Sequence, residues 1–195
     1  MLILRNWPGN RSYPLPALPA TLVMSNSNKI TIRKGKQTDV EAVYRLVEEL
    51  AIYHQKDPEY INNSPLQMRE DAFGEDRFFR FFVAEEDGKI VGAAIYYFIY
   101  STWKGKSLYL EDLIITKTHR GRGIGKLFME ALARQAVDSG AQKLKWQVAE
   151  DNHSAIGFYE KLDADLDPEW INCELNREQL EKMNTNKTAP ELVPA

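Results

Sequence analysis

The run from Tyr109 to Gly125, YLEDLIITKTHRGRGIG, sets two kinds of chemistry side by side. Glu111 and Asp112 interrupt an apolar, strand-like stretch with carboxylates, groups that can accept a proton or attract a cation. Arg120-Gly121-Arg122-Gly123-Ile124-Gly125-Lys126 follows, and an amphipathic helical pattern begins at once. A basic, glycine-rich turn between a strand and a helix N-terminus suits phosphate. Its glycines let backbone N–H groups approach an anion, and the helix dipole adds partial positive charge there. A carboxylate a few residues upstream can then face whatever the phosphates anchor. Strict strand alternation sends Glu111 and Asp112 to opposite faces, which argues against their acting as a pair.

Two nucleotide fingerprints fail on these residues. A dinucleotide loop needs a third glycine where the chain has Lys126. A Walker loop ending at Gly125-Lys126 needs a glycine in place of Arg120 and a hydroxyl residue in place of Leu127. What remains is Arg-x-x-Gly-x-Gly, formed by Arg120, Gly123 and Gly125. A glycine-rich turn with solvated arginines is the plainer reading of so short a motif, and the strand–turn–helix context weighs against it.

The elements that must position these residues are legible from periodicity. Lys29 to Arg33 alternates as a strand. Thr38 or Asp39 caps a helix that carries Val43, Leu46, Val47 and Leu50 up to about Tyr53. Ser64 and Pro65 open a second helix through Leu66, Met68 and Phe73, closed by Gly74. Phe79 to Glu85 and Lys89 to Phe98 form a hairpin across Glu86-Asp87-Gly88. A turn at Lys104-Gly105-Lys106 leads to the strand Ser107 to Thr116. A third helix points Leu127, Phe128, Ala131, Leu132 and Val137 inward and ends at Gly140. Leu144 to Val148 is a strand, Asn152 caps a fourth helix, Trp170 to Leu175 is a last strand, and a short helix runs to Met183. The order β-α-α-β-β-β-α-β-α-β is not a regular βαβ alternation, so a doubly wound nucleotide fold is not expected.

Composition bounds the function. The chain has 195 residues, 44% hydrophobic and 27% charged, with net charge −3. Residues 1–23 carry only Arg5 and Arg11, so the remainder holds 23 basic against 28 acidic residues. That balance, without a basic–aromatic stripe, argues against nucleic acid. No apolar run is long enough to span a membrane. The single cysteine, Cys173, excludes an intrachain disulfide, fits a reducing, cytoplasmic setting and reads as packing. Residues 1–28, with four prolines by Pro19, read as a disordered or weakly ordered extension. Residues 29–183 read as one domain and 184–195 as a flexible tail. His54, His119, His153 and Cys173 have no metal-ligand spacing, so no metal is expected.

Several long motifs in order extend the picture. The loop Arg120–Gly125, the run YYFIYSTWKGKSLYLED (Tyr96 to Asp112), the phrase VAEDNHSAIGFY (Val148 to Tyr159) and the Trp170 stretch resemble the GNAT superfamily of N-acetyltransferases. The likeness covers about Ile30 to Met183 and is to the spermidine/spermine (diamine) branch, nearest in motif to thialysine-type members. It implies the GNAT fold: an α/β (α+β mixed) fold with a central mixed, largely antiparallel twisted sheet. Its strands 4 and 5 splay, here the strand ending near Ile115 and the one near Val148, and helices cover both faces. The resemblance further implies acetyl-CoA as co-substrate, a small-molecule amine as acceptor, and a homodimer with the active site near the subunit interface.

Acetyl transfer to an amine needs a base, because a primary ammonium (pKa ~10.4) has no free lone pair. It also needs stabilisation of the carbonyl oxygen and a proton for the departing thiolate. The resemblance makes Glu111 the water-mediated base and Tyr159 the general acid. It puts the donor against the backbone of Leu113, Ile114 and Ile115, against Arg120, Gly121, Arg122, Gly123, Ile124, Gly125 and Lys126, and against Asn152 and Tyr159. The glycines and main-chain amides matter most in that loop, and Arg122 and Lys126 are also readable as solvated charges. Core packing is the plainer reading of Tyr159, and an N-cap of Asn152. His54, Ser101, Trp103 and Glu111 fall on the amine side. Polyamine enzymes of the branch carry a glutamate in place of His54 and an aspartate in place of Ser101. These losses point to a shorter amine with its own carboxylate, thialysine-like or lysine-like, rather than spermidine. Asp163 replaces a usual glycine after the fourth helix, and aspartate tolerates a left-handed cap. Two alternatives stay open: acetylation of a protein lysine or N-terminus, and a non-catalytic acyl-CoA-binding module.

Overall fold

The computed structural model describes the backbone of Leu22–Val23 and residues 30–184. The rest of the expected N-terminal extension, and the expected tail beyond residue 184, lie outside the described residues. The chain divides into two compact units, Met1–Gln147 and Val148–Ala195.

The first unit is built on a six-stranded sheet in sequential order: β1 (Leu22–Val23), β2 (Thr31–Lys34), β3 (Arg80–Glu86), β4 (Lys89–Ser101), β5 (Gly105–Ile115) and β6 (Leu144–Lys145). All neighbours are antiparallel except the parallel pair β5–β6. Counting β1, the splayed strands 4 and 5 of the sequence reading are β5 and β6. Their pairing is confined to Leu108↔Leu144 and Tyr109↔Lys145, while β5 continues to Ile115. From Leu110 onward the edge of β5 therefore has no ladder partner among the described residues. The expected strand to Val148 ends after two residues.

One sheet face is covered by α1 (Val40–Tyr53) and α2 (Pro65–Phe73). Val40, Val43, Leu46, Met68 and Ala72 pack there against Phe81, Val83, Ala93, Ile95 and Ile114. α2 begins and ends as its sequence signals require: the Ser64 hydroxyl accepts from Gln67 N, Pro65 takes the first helical position, and Gly74 follows Phe73. Asp39 does not cap α1. It is buried and accepts two hydrogen bonds from the Arg33 guanidinium, at 2.7 and 3.0 Å, and one from Lys36 N. That ties the start of α1 to β2.

α3 (Ile124–Asp138) lies on the other face, burying Ile124, Phe128, Leu132 and Ala136. A Cβ on Gly92 would come within 2.8 Å of Ile114 O and 3.2 Å of the Phe128 ring, so α3 packs this closely only over a glycine. Val137, expected to face inward, is 73% exposed. It lies one residue past Ala136, which takes the inward position, and a 3.6-residue period turns the next side chain outward.

The second unit contains α4 (His153–Glu160) and α5 (Arg177–Asn184). Asn152 Oδ1 accepts from Ala155 N at 3.2 Å, so it is the N-cap its position suggested. Asp163 takes φ 55°, the left-handed conformation that lets aspartate stand in for glycine. The expected strand Trp170 to Leu175 does not form. Trp170 and Ile171 are exposed, and so is Cys173, which was expected to pack. Alternating apolar residues make a strand only when a neighbouring edge completes the ladder, and these find none among the described residues.

Candidate active site

The site begins with an irregularity in β5. Ile95 pairs with Asp112 and Tyr96 with Leu110, leaving Glu111 as an extra residue in a β-bulge. A bulge resets strand parity. Before it, Tyr109 pairs with Tyr97; after it, Asp112 pairs with Ile95 and Ile114 with Ala93. Tyr97, Ile95 and Ala93 alternate along an unbroken β4 and so share a face, the one on which Ile95, Ala93 and Ile114 form the helix-covered core. Glu111 and Asp112 therefore lie on the same face. The expectation that they point to opposite sides fails because it assumed regular alternation through the pair.

The resulting constellation is two carboxylates and two phenols. The Tyr97 hydroxyl donates to Glu111 Oε2 at 2.8 Å, and the Tyr97 and Tyr109 rings lie 5.3 Å apart. Burial and then the Glu111 hydrogen bond push the Tyr97 phenol up, so it stays a donor. Burial and the Glu111 charge push Tyr109 up as well. Half-buried Asp112 is raised to about 6, by burial first and by the neighbouring Glu111 charge second. Neither tyrosine stands out as a candidate in sequence. Counting back from the turn finds Tyr97, because closure at Ser101↔Gly105 sets Tyr97 opposite Tyr109.

The Asp112 shift has a measurable consequence. Between pH 3.8 and about 6 the folded chain holds a proton that the unfolded chain has released, so stability falls as pH rises through that window. Asp112→Asn removes this loss. The variant should match the wild-type melting temperature near pH 4 and exceed it at pH 7.5. An offset independent of pH would contradict the assigned burial.

Beyond Ile115 the chain makes a short 3-10 turn, Lys117–His119, and enters the glycine loop. Gly121 and Gly123 take φ 75° and 80°, and a Cβ at either would meet nothing within 4 Å. Gly123 is the N-cap of α3 and provides no side-chain cap. The amides of the first turn, Ile124, Gly125 and Lys126, therefore have no capping side chain, which leaves them suited to an anion.

The loop's arginines also make contacts within the chain. Arg120 Nε donates to Ile115 O at 2.9 Å, and its guanidinium sits 4.7 Å from the Tyr53 ring centroid. Arg122 pairs with Glu86 at 2.5 Å, and His119 Nε2 lies 2.9 Å from the same carboxylate. Arg122 holds the Glu86 carboxyl below its usual range. Glu86, at the β3–β4 turn, thus braces the loop from the neighbouring hairpin, a role its sequence position gives no sign of. Lys126 is 3.9 Å from Glu130 and largely exposed.

The amine-side candidates separate. His54 is exposed at the end of α1, its ring edge-on to Tyr53 at 5.3 Å, which brings it to the Arg120 side of the loop. Ser101 closes β4 and Trp103 lies in the β4–β5 turn, where the Ser101 hydroxyl accepts from Trp103 N and Lys104 N. At about 3.4 Å per residue, that turn is about 20 Å along β5 from Glu111, and Trp103 is 87% exposed. The structure does not bring these two to Glu111 within one chain. Leu113 and Ile115 are half-buried, and the Ile114 side chain belongs to the core. In the second unit Tyr159 is buried at 6% exposure, and burial pushes its phenol up.

Comparison with known proteins places the whole chain. The family model described as "Acetyltransferase (GNAT) family" matches residues 41–164. This chain belongs to the GNAT acetyltransferase family. It is 36% identical over 143 residues to a thialysine N-epsilon-acetyltransferase of Sus scrofa, covering 69% of this chain and 84% of that protein. It is 31% identical over 159 residues to a spermidine/spermine N(1)-acetyltransferase-like protein 1 of Homo sapiens, covering 76% of this chain and 23% of that one. Among solved structures, an aminoglycoside N-acetyltransferase in complex with CoA superposes with TM-score 0.63 at 17% identity, covering 79% of this chain and 99% of that one. The GNAT fold and the diamine/thialysine branch expected from sequence are thereby established, and family membership makes the chain an acyltransferase.

Proposed function

We propose that this GNAT enzyme moves the acetyl group of acetyl-CoA to the primary amine of a small amine or amino acid, thialysine-like, lysine-like or a diamine. The observation that carries this reading is the bulge, which sets Glu111, Asp112, Tyr97 and Tyr109 on one face. Two neighbouring carboxylates attract an ammonium, and phenol rings flank it.

The residues present fit the donor. The uncapped amides at the start of α3, reached through Gly121 and Gly123, suit its diphosphate, and the unpaired edge of β5 offers the backbone of Leu113 and Ile115, on either side of Ile114, to its amide-bearing arm. Bound there, acetyl-CoA supplies an acyl group activated as a thioester. Arg120 and Arg122 add positive charge beside those amides, and their contacts to Ile115 O and Glu86 brace the loop. Glu111 takes the proton of the ammonium through water, with its carboxylate held by the Tyr97 hydroxyl. Tyr159, kept protonated by burial, gives a proton to the departing sulfur. Asn152 serves as helix cap and contacts the donor arm.

In the homodimer that the resemblance implies, Trp103 and Ser101, distant from Glu111 in their own chain, serve the amine site of the second copy. A single cysteine supports a cytoplasmic enzyme. Among the described residues no helix is long and apolar enough to cross a membrane.

An amine screen with acetyl-CoA, read as free thiol, tests the proposal: thialysine, lysine, ornithine, putrescine, spermidine and a histone-like peptide. Turnover should be highest on an amino-acid amine. A preference for the peptide would overturn the small-amine assignment. Tyr159→Phe should lower kcat about tenfold or more while coenzyme A affinity stays put; equal kcat in the two proteins would remove the acid role.

A further inference from the structure

The opposite end of the sheet holds a cavity of about 380 Å³, away from the glycine loop and within the first unit. Three cations line it: Lys34 at the end of β2, Arg77 in the loop after α2, and Arg80 at the start of β3. No Asp or Glu lines it, and none of the three lies within ion-pair distance of a carboxylate among the described residues. Arg80 and Lys106 instead approach the Phe98 ring, at 5.9 and 4.1 Å from its centroid. In a chain of net charge −3, three cations around one cleft without a carboxylate partner form a local positive field.

The cavity wall is of a different kind. Phe73 and Phe81 give it an apolar side. Tyr96 is 1% exposed, and its hydroxyl lies 3.4 Å from Gln135 Oε1 of α3. A hydrogen-bonding pair thus sits deep, with cations at the rim. Gly35 keeps the opening: a Cβ there would stand 2.0 Å from the Phe81 ring.

We infer that this cleft is a second ligand site, separate from the acetyl-transfer site, for a small anion with a carboxylate or phosphate head and an aromatic or other apolar body. The head meets Lys34, Arg77 and Arg80, and the body lies against Phe73 and Phe81. The volume suits a one- or two-ring compound.

Calorimetry on the full chain tests it, with 1-naphthyl phosphate, 1-naphthoate and neutral 1-naphthalenemethanol as probes. At least one anion should bind about tenfold more tightly than the neutral probe, the difference shrinking with added salt. Arg80→Gln and Lys34→Gln should each weaken that binding several-fold, to about tenfold. Saturating coenzyme A should leave it intact. The tighter of the two anions identifies the head group. Three results would overturn the site: no binding at millimolar probe, equal affinity for the neutral compound, or displacement by coenzyme A. Unchanged affinity in both variants would do the same. Because coenzyme A binding and amine turnover are read separately, a failure here leaves the acetyltransferase reading standing.

Discussion

Glu111→Gln is expected to lower kcat on the order of a hundred- to ten-thousandfold, with coenzyme A affinity almost unchanged. The substitution is nearly isosteric. Its amide oxygen still accepts from the Tyr97 hydroxyl, which now meets Glu111 Oε2 at 2.8 Å, so the local geometry survives. What disappears is the ability to take a proton, and an ammonium with pKa ~10.4 is then left without an acceptor near neutral pH. Thiol release against amine concentration measures the effect, and calorimetry with coenzyme A isolates donor binding. A loss of only a few-fold would move the base elsewhere, first to Asp112, the other carboxylate on that face, whose pKa of about 6 already lies near working pH.

The second large effect concerns donor affinity. Gly123→Asp should weaken coenzyme A binding on the order of a hundredfold or more, because it sets a negative charge where the diphosphate is held by helix N-terminal amides. Backbone strain alone cannot mimic this. Gly123 has φ 80° with open space where a Cβ would stand, and Gly105, in the distant β4–β5 turn, has φ 81° with the same open surroundings. Gly105→Asp therefore carries the same conformational cost, about 1–2 kcal/mol, without touching the loop. Gly123→Asp should melt no lower than Gly105→Asp, because aspartate is favourable at a helix N-cap, and yet bind coenzyme A far more weakly. Equal affinity in both would count against the loop as the anchor.

Much of this architecture is visible in sequence where local rules decide the outcome. α2 follows from Ser64, Pro65 and Gly74 because caps act within one turn. The hairpin at Asp87-Gly88 follows because both residues must take positive φ, which they do at 48° and 76°. The glycine loop is legible for the same reason. What escaped depends on distant partners. The bulge at Glu111 is a property of two strands in register, so the alternation rule misplaced Asp112. Arg120 and Arg122 read as phosphate ligands, and the contacts they also make within the chain, to Ile115 O and Glu86, leave no mark near the motif. Trp170 to Leu175 has strand composition but no pairing edge among the described residues, and periodicity cannot tell whether a neighbour exists.

The extra residue in β5 also separates two demands that strands usually merge. An ordinary inward position must satisfy the ladder and the hydrophobic interior together, which limits the side chains it tolerates. Glu111 stands outside that pattern: Leu110 and Asp112 already take the places opposite Tyr96 and Ile95. Its chemistry can therefore be rewritten over evolution while the register of the whole sheet stays as it is.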